Sequence, residues 1–398
     1  MTFECDAMAR PDVVAERCIE CGGCRKDCAF LQERGLPKAI ASAMLSGDPA
    51  CLSFAYECSL CGLCTAVCPV GLDPAGMILE IRREAARRGK GCHSEHGVLL
   101  AYEKRGTSPR YTHYALPEGC KTVFFPGCAL PGTRPKRVID IFEKLREVVP
   151  TLGIVLDCCT APSHSLGRED YFRAMFGEMR DFLLDNGIRE VLVACPNCYK
   201  VFKNFGDGLK ARTIYEALAD NGISRRVRNA VKVSIHDSCA VRFDESIHAA
   251  VRKLTKGAGL SVEESHHRGR KTVCCGEGGA AGFMAPELAG RWTSLRVQDA
   301  GGRKILAYCA GCTAALGRRG EAIHIADILF DPDAALTGKA KVSRPPLTYW
   351  NRMRLKSYFK KQIPAKISRE RRFHAARPSG GAASGWLDRL LGFLEGPK

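Results

Sequence analysis

The sequence predicts a small α-helical unit, then two similar α/β units with parallel-type sheets, then a basic C-terminal tail. Three observations carry this expectation. Cysteines recur as C-x2-C-x2-C-x3-C at Cys18, Cys21, Cys24 and Cys28, and again at Cys58, Cys61, Cys64 and Cys68, among helix-like stretches. Beyond them, apolar β-branched runs ending in cysteine come three at a time, twice over, with helical segments between. Strand and helix signals in alternation argue for α/β domains with largely parallel sheets. Finally, Lys339 to Arg377 holds 13 Lys and Arg against a single acid, Glu370.

The first unit spans residues 1–100, with helices expected over Leu36–Leu45 and Pro74–Arg88 from their composition and apolar spacing. A loop-rich stretch from Cys92 to Gly119 leads onward. The first α/β unit, 119–225, contains KTVFFPGC (121–128), GIVLDCC (153–159) and REVLVACPNC (189–198), with helices expected at 136–148 and 170–184. The second, 226–335, repeats the plan with VKVSIHDSC (231–239), KTVCC (271–275) and RKILAYCAGC (303–312), and helices at 246–256 and 286–299. Open parallel sheets bind ligands beyond the carboxyl ends of their strands, which is where these cysteines fall. The last piece, 336–398, is the basic tail. It includes the linker SGGAASG (379–385) and a short apolar finish in which Trp386, Leu390, Phe393 and Leu394 share one helical face.

Composition narrows the function. A chain of 398 residues can hold two or three cored domains. No apolar run is long enough to span a membrane, and the N-terminus has acids where a secretory signal needs a basic start and an apolar core. A cytoplasmic setting keeps thiols reduced, so 22 cysteines at regular spacings point to metal rather than to disulfides. The net charge of +17 is concentrated in the tail, which contributes +12 and leaves +5 for the rest. That distribution excludes a nucleic-acid-binding body. The tail, with Tyr349, Trp350, Tyr358 and Phe359 among its cations, is expected to dock on a partner subunit or on the inner face of the membrane.

The eight cysteines of these two runs have the spacing of bacterial two-cluster ferredoxins, in which three cysteines hold one cubane and the fourth crosses to the other. Cys18, Cys21, Cys24 and Cys68 are then the ligands of one [4Fe–4S] cluster, and Cys58, Cys61, Cys64 and Cys28 those of a second. Zinc also uses C-x2-C pairs, but the full eight-cysteine pattern favours clusters. Ala29 stands where proline usually follows the fourth cysteine, a departure that removes no ligand.

Each α/β unit adds five cysteines in one order: Cys128, Cys158, Cys159, Cys195 and Cys198, then Cys239, Cys274, Cys275, Cys309 and Cys312. On these residues the chain, over about 10–335, resembles the cysteine-rich CCG domains of the heterodisulfide reductase family. Relatives in that family include iron–sulfur subunits of anaerobic glycerol-3-phosphate dehydrogenase and of glycolate oxidase. The resemblance implies that each five-cysteine set holds a noncubane [4Fe–4S] cluster. It also implies that the two clusters face each other across a disulfide-binding cleft, where one electron from each splits the S–S bond. In one place the pattern departs: the second repeat reads CCG, but the first reads CCT, with Thr160 where glycine is expected. This leaves two functions open, disulfide reduction or onward electron transfer, the latter as a nonenzymatic subunit linking a flavin dehydrogenase to membrane quinone.

Other features are weighed against blander readings. Gly276, Gly278 and Ala281 match G-x-G-x-x-A, the dinucleotide fingerprint, but the adjacent cysteine pair accounts for glycines equally well. Electrons are therefore expected from a flavoprotein or other donor subunit. No catalytic residue is assigned; His164 and His236 are candidates for protonating a departing thiolate, against the commoner role of a hydrogen bond within a loop. The same applies to Asp237 and Glu277. Cys5, Cys51, Cys92 and Cys120 belong to no set and read as unligated thiols.

Overall fold

A computed structural model describes residues 7–91, 93–222, 226–227 and 231–375. Its N-terminal part is helical: α1 (Pro11–Arg17), α2 (Ala29–Arg34), α3 (Pro37–Leu45), α4 (Pro49–Phe54), α5 (Leu63–Ala66) and α6 (Pro74–Arg87). Proline opens α1, α3, α4 and α6, where its missing N–H goes unneeded. Asp48 and Asp73 cap α4 and α6 by accepting from Ala50 N and Gly76 N. Val14, Phe30, Ile40, Met77 and Ile81 form the centre of this part, and Leu288 and Trp292 of the second α/β unit pack into the same core. The stretch 92–119, expected as loop, instead contains α7 (Gly97–Gly106) and β1 (His113–Leu116). All four β1 residues are buried, so no alternation marks the strand in sequence.

The first α/β unit runs β2 (Thr122–Phe125), α8 (Ala129–Thr133), α9 (Pro135–Arg146), β3 (Gly153–Leu156), α10 (Ala161–Ser165), α11 (Glu169–Asp185), β4 (Glu190–Val193), α12 (Pro196–Phe205), β5 (Lys210–Thr213) and α13 (Ile214–Asn221). The second runs β6 (Lys232–His236), α14 (Glu245–Gly257), β7 (Ser261–Val262), α15 (Ala281–Met284), α16 (Pro286–Asp299), β8 (Lys304–Ala307), α17 (Ala310–Leu316), β9 (Ala322–His324), α18 (Ile325–Phe330) and α19 (Pro332–Leu336). In the first sheet β3, β2, β4 and β5 lie side by side in parallel; in the second, β7, β6, β8 and β9 do the same. One plan is thus used twice. The KTVCC run does not form the strand of the second copy that corresponds to β3, however. That place belongs to β7, and 272–275 is irregular because side chains replace the ladder: Thr272 Oγ1 donates to Asp237 O and Gly269 N to Asp237 Oδ2.

The basic tail is not an appendage as far as it is described. Residues 347–362 form α20 (Leu347–Gln362) and 367–369 form β10 (Ile367–Arg369), which pairs antiparallel with β1; β1 pairs antiparallel with β3. Leu355, Phe359 and Ile363 are buried in the core shared by the two α/β units. The tail's charges find acids there, Arg369 with Glu178, Lys366 with Glu118, Lys356 and Lys360 with Glu370 within the tail itself. Its aromatic–basic alternation is therefore the docking face of a helix and strand against their own domain. Trp350 remains exposed. The linker 379–385 and the expected apolar face of Trp386, Leu390, Phe393 and Leu394 lie outside the described residues.

Candidate iron–sulfur centres

The two ferredoxin-type runs fold alike. In each C-x2-C turn the residue before the second cysteine has a positive φ, 53° at Glu20 and 50° at Leu60, and a left-handed glycine follows that cysteine, Gly22 at 74° and Gly62 at 73°. Such residues curl the backbone so that amides face a common centre. Cys18, Cys21, Cys24 and Cys68 wall one small cavity, and Cys28, Cys58, Cys61 and Cys64 another, lined also by Phe30, Leu31, Ile40 and Met77. The crossed fourth cysteine, Cys68 or Cys28, thus stands with the other run's partners in both cases. Cys64 borders both cavities.

Crowding and burial act together on these thiols. Burial, with Cys18 and Cys21 nearby, pushes Cys24 up to about 11, and burial pushes Cys58 up to about 12 against the pull of Arg82. Four thiols packed so closely resist ionising unless a multivalent cation replaces their protons, which is what metal binding does. Leu60 N lies 3.4 Å from Cys58 Sγ, an N–H directed at sulfur.

The five-cysteine sets assemble at the carboxyl ends of the parallel strands. In the first repeat the thiols of Cys128 and Cys158 interact directly, as do those of Cys198 with Cys159 and Cys195. In the second, Cys239 interacts with Cys274, Cys274 with Cys275, and Cys275 Sγ lies 3.2 Å from Cys312 Sγ. Gly276 N is 3.3 Å from Cys274 Sγ. Contacts also link one set to the next. Cys61 feels the charge of Cys274, and the Cys195 thiol beside Cys309 pushes the latter up to about 12. The sets therefore form a row: the Cys18 set, the Cys58 set, the second repeat's five and the first repeat's five.

The glycine fingerprint explains the second junction. A Cβ on Gly278 would lie 2.5 Å from Ser59 O, and one on Gly279, at φ +59°, would lie 2.7 Å from Cys58 O. These glycines let the second repeat's loop press against the Cys58–Ser59 turn, which accounts for them without a nucleotide. At the paired cysteines, Gly276 has φ +95° and its Cβ would meet Thr293 Oγ1 at 2.5 Å. Thr160 occupies the matching left-handed position with φ 54°, fully buried and with its hydroxyl without a hydrogen-bond partner among the described residues. The first repeat thus tolerates a side chain where the second has no room for one.

Three arginines were not foreseen. Arg82 donates to Ala55 O at 3.0 Å, to Ser165 O and Gly279 O at 2.7 Å, and to Cys58 O, joining all three parts of the chain. Arg242 donates from Nε to Cys61 O at 3.0 Å. Arg352 of α20 donates to Gly106 O and is influenced by Tyr102, Cys128 and Cys158. All three are buried, and among the described residues none has a carboxylate within salt-bridge distance. Buried cations without anions are costly, and cysteine thiolates are the counter-charges at hand. Only Arg82 carried a sequence signal, as a cation on the buried face of α6 beside Ile78, Ile81 and Ala85.

The remaining candidates have structural partners. His164 Nδ1 is 3.3 Å from Glu169, and its ring packs on Phe172 and Phe205. Asp237 is fully buried and paired with Arg252 at 2.8 Å. Glu277 lies 3.4 Å from Arg318 at the surface. His236 is buried beside Cys275 and Cys312, and burial followed by Arg296 brings it down to about 3. Cys51 and Cys120 are buried outside the sets; Cys5 and Cys92 lie outside the described residues. No helix among the described residues is long and apolar enough to cross a membrane.

Comparison with known proteins agrees with this architecture. Residues 14–72 match the family described as 4Fe-4S dicluster domain, and residues 122–203 and 233–317 each match the cysteine-rich domain. The chain is 26% identical over 309 residues to a subunit of the fumarate reductase (CoM/CoB) of Methanothermobacter marburgensis, covering 68% of this chain and 60% of that one. It is 23% identical over 265 residues to the EtfAB:quinone oxidoreductase of Syntrophomonas wolfei, covering 58% and 37%. With a subunit of the dihydromethanophenazine:CoB–CoM heterodisulfide reductase of Methanosarcina barkeri it shares 22% identity over 274 residues, 62% and 67% of the two chains. It spans less than two thirds of the length of the first two of these relatives. The chain thus joins a 4Fe–4S dicluster domain to two cysteine-rich domains, an iron–sulfur protein with multiple [4Fe–4S] clusters that is similar to heterodisulfide reductase subunits.

Proposed function

We propose that this chain is an electron-carrying subunit in which the four thiol sets hold four iron–sulfur centres acting in series. Cys18, Cys21, Cys24 and Cys68 bind the first cubane, and Cys58, Cys61, Cys64 and Cys28 the second. The five cysteines of the second repeat, then the five of the first, hold the next two centres. The observation that carries the reading is the row itself, with Cys61 beside Cys274 and Cys195 against Cys309. Iron–sulfur clusters supply one-electron transfer, and the chain's own contribution is to hold them close, dry and charge-compensated. Arg82 and Arg242 stand at the junction between the second cubane set and the second repeat; Arg352 stands at the end of the row.

Electrons enter at the Cys18 set, where Cys21 is exposed, from a flavoprotein or other donor subunit. At the far end they reduce a disulfide, two electrons and two protons giving two thiols, or pass to a further acceptor. Relatives named for heterodisulfide reduction support the first outcome, and the relative named as a quinone oxidoreductase, together with Thr160 in place of glycine, supports the second. Iron and acid-labile sulfide, counted in strictly anaerobically purified protein, test the reading. About 16 of each per chain is expected for four four-iron centres; about 8 after reconstitution would leave only the ferredoxin-type sets loaded and overturn it.

A further inference from the structure

We propose that His236 is a nitrogen ligand to the centre held by the second repeat, which makes that centre chemically unlike its counterpart in the first. The inference rests on the reading that this set holds iron. His236 is the last residue of β6, three before Cys239. One ring nitrogen and the Sγ atoms of Cys275 and Cys312 all lie within 4.8 Å of one another. Nitrogen and sulfur ligands sit about 2.0–2.3 Å from a shared metal, so donors on one centre are separated by distances of this size.

The second observation is the state of the ring. His236 is 1% exposed, and neither of its nitrogens has a hydrogen-bond partner among the described residues. A neutral imidazole presents one N–H and one lone pair, and burying both unmatched is unfavourable. Its neighbours do not resolve this. Arg296 donates to Ser234 Oγ and Ile235 O, and Asp237 turns to Arg252 and Gly269. A ring nitrogen this close to two sulfurs of a five-thiol set finds its partner in the metal those sulfurs hold.

The first repeat serves as an internal control. In the sheets His236 pairs with Ala307, two residues before Cys309, and Phe125 pairs with Val193, two residues before Cys195. The two positions are equivalent. Phe125 is fully buried and packs edge-on to Phe202 at 5.2 Å. Where the first repeat fills this place with core hydrocarbon, the second places a donor. Imidazole taking an iron site from thiolate raises the potential of an iron–sulfur centre, so with His236 holding one iron site in place of a thiolate this centre holds an electron more readily than an all-thiolate one.

The test is pulsed electron paramagnetic resonance on the reduced, anaerobically purified full chain, grown with ordinary or ¹⁵N-labelled histidine, alongside H236F, which installs the first repeat's residue. The expected result is a nitrogen coupling of directly bonded strength that changes isotope with the label and disappears in H236F. At a fixed poise the reduced-to-oxidised ratio of that centre falls at least about tenfold in H236F, equivalent to about 59 mV for one electron. A wild-type protein with about 16 irons but no strongly coupled histidine nitrogen overturns this inference and leaves the four-centre reading standing. About 8 irons overturns both. If H236F fails to fold, the label in the wild-type protein decides alone.

Discussion

Replacing Arg371 with methionine should loosen the first α/β unit far more than its place near the end of the described chain suggests. The guanidinium is fully buried, with Nε 3.0 Å from Asp157 Oδ2, Nη1 donating to Met175 O at 3.0 Å and Nη2 within 3.3 Å of Tyr114 Oη. Asp157 is equally buried, accepts from Tyr114 Oη, and takes the Cys158 amide at 2.6 Å. Arg371→Met therefore strands a carboxylate beside the paired cysteines. Breaking a buried pair by removing one partner costs about 3–5 kcal/mol, which corresponds to a rise of roughly 10²–10⁴-fold in local opening. A chain of several domains does not melt in one step, so the readout is hydrogen exchange at the amides of β1, β3 and β10. The double variant Arg371→Met with Asp157→Asn should recover most of the loss, since no charge is left unpaired. Exchange in the single variant within about fivefold of wild type, the range of an exposed pair, would refute the reasoning, as would a double variant no better than the single.

Arg82→Met removes a fork that satisfies four backbone carbonyls from three parts of the chain. At about 1–3 kcal/mol for each buried group left unsatisfied, proteolytic clipping between the helical part and the α/β units should become easy, with Arg82→Lys intermediate. Resistance equal to wild type would contradict the junction role. Arg352→Met takes a buried cation from beside Cys128 and Cys158; it should lower the potential of the first repeat's centre by roughly 40–90 mV, or 1–2 kcal/mol for one electron, and leave the cubane signals unmoved in a redox titration. His113 on β1 is brought down to about 4 by burial and then by Lys360 and Lys356 of α20. Its folded value lies below the unfolded one of about 6.5, so the unfolded chain binds more protons between these values and stability falls as pH drops from about 6.5 towards 4. His113→Phe should flatten that slope, measured as docking of α20 against pH; an unchanged slope would place the titration elsewhere.

Much of how these cysteines gather could be read from the sequence, because their spacing is local and the two-cluster ferredoxin pattern places the fourth cysteine of each run with the other run. The parallel runs 122–125, 153–156 and 190–193 were equally plain, being β-branched and bounded by cysteine. What could not be read was set by distant contacts. His113–Leu116 is buried throughout and carries no period, and β10 is a strand only because β1 offers it an edge. The tail's cations look solvated in sequence, since nothing local reveals that Glu118 and Glu178 await them. The KTVCC run has strand composition, yet Asp237 draws its backbone into side-chain hydrogen bonds. The glycines after Cys275 match a nucleotide motif by letter, whereas their reason is the approach of Cys58 and Ser59 from more than 200 residues away.

The 3.2 Å between Cys275 Sγ and Cys312 Sγ has a consequence for the chain in air. A disulfide needs about 2.05 Å, so if the second repeat holds iron as proposed, a small side-chain movement joins these sulfurs once oxygen has stripped it. Oxidised apoprotein would then lock itself shut at the second repeat, and iron added later would find two of its donors consumed. Reloading such protein requires a thiol reductant before the metal, and colourless material from aerobic preparations is expected to show this crosslink by mass spectrometry.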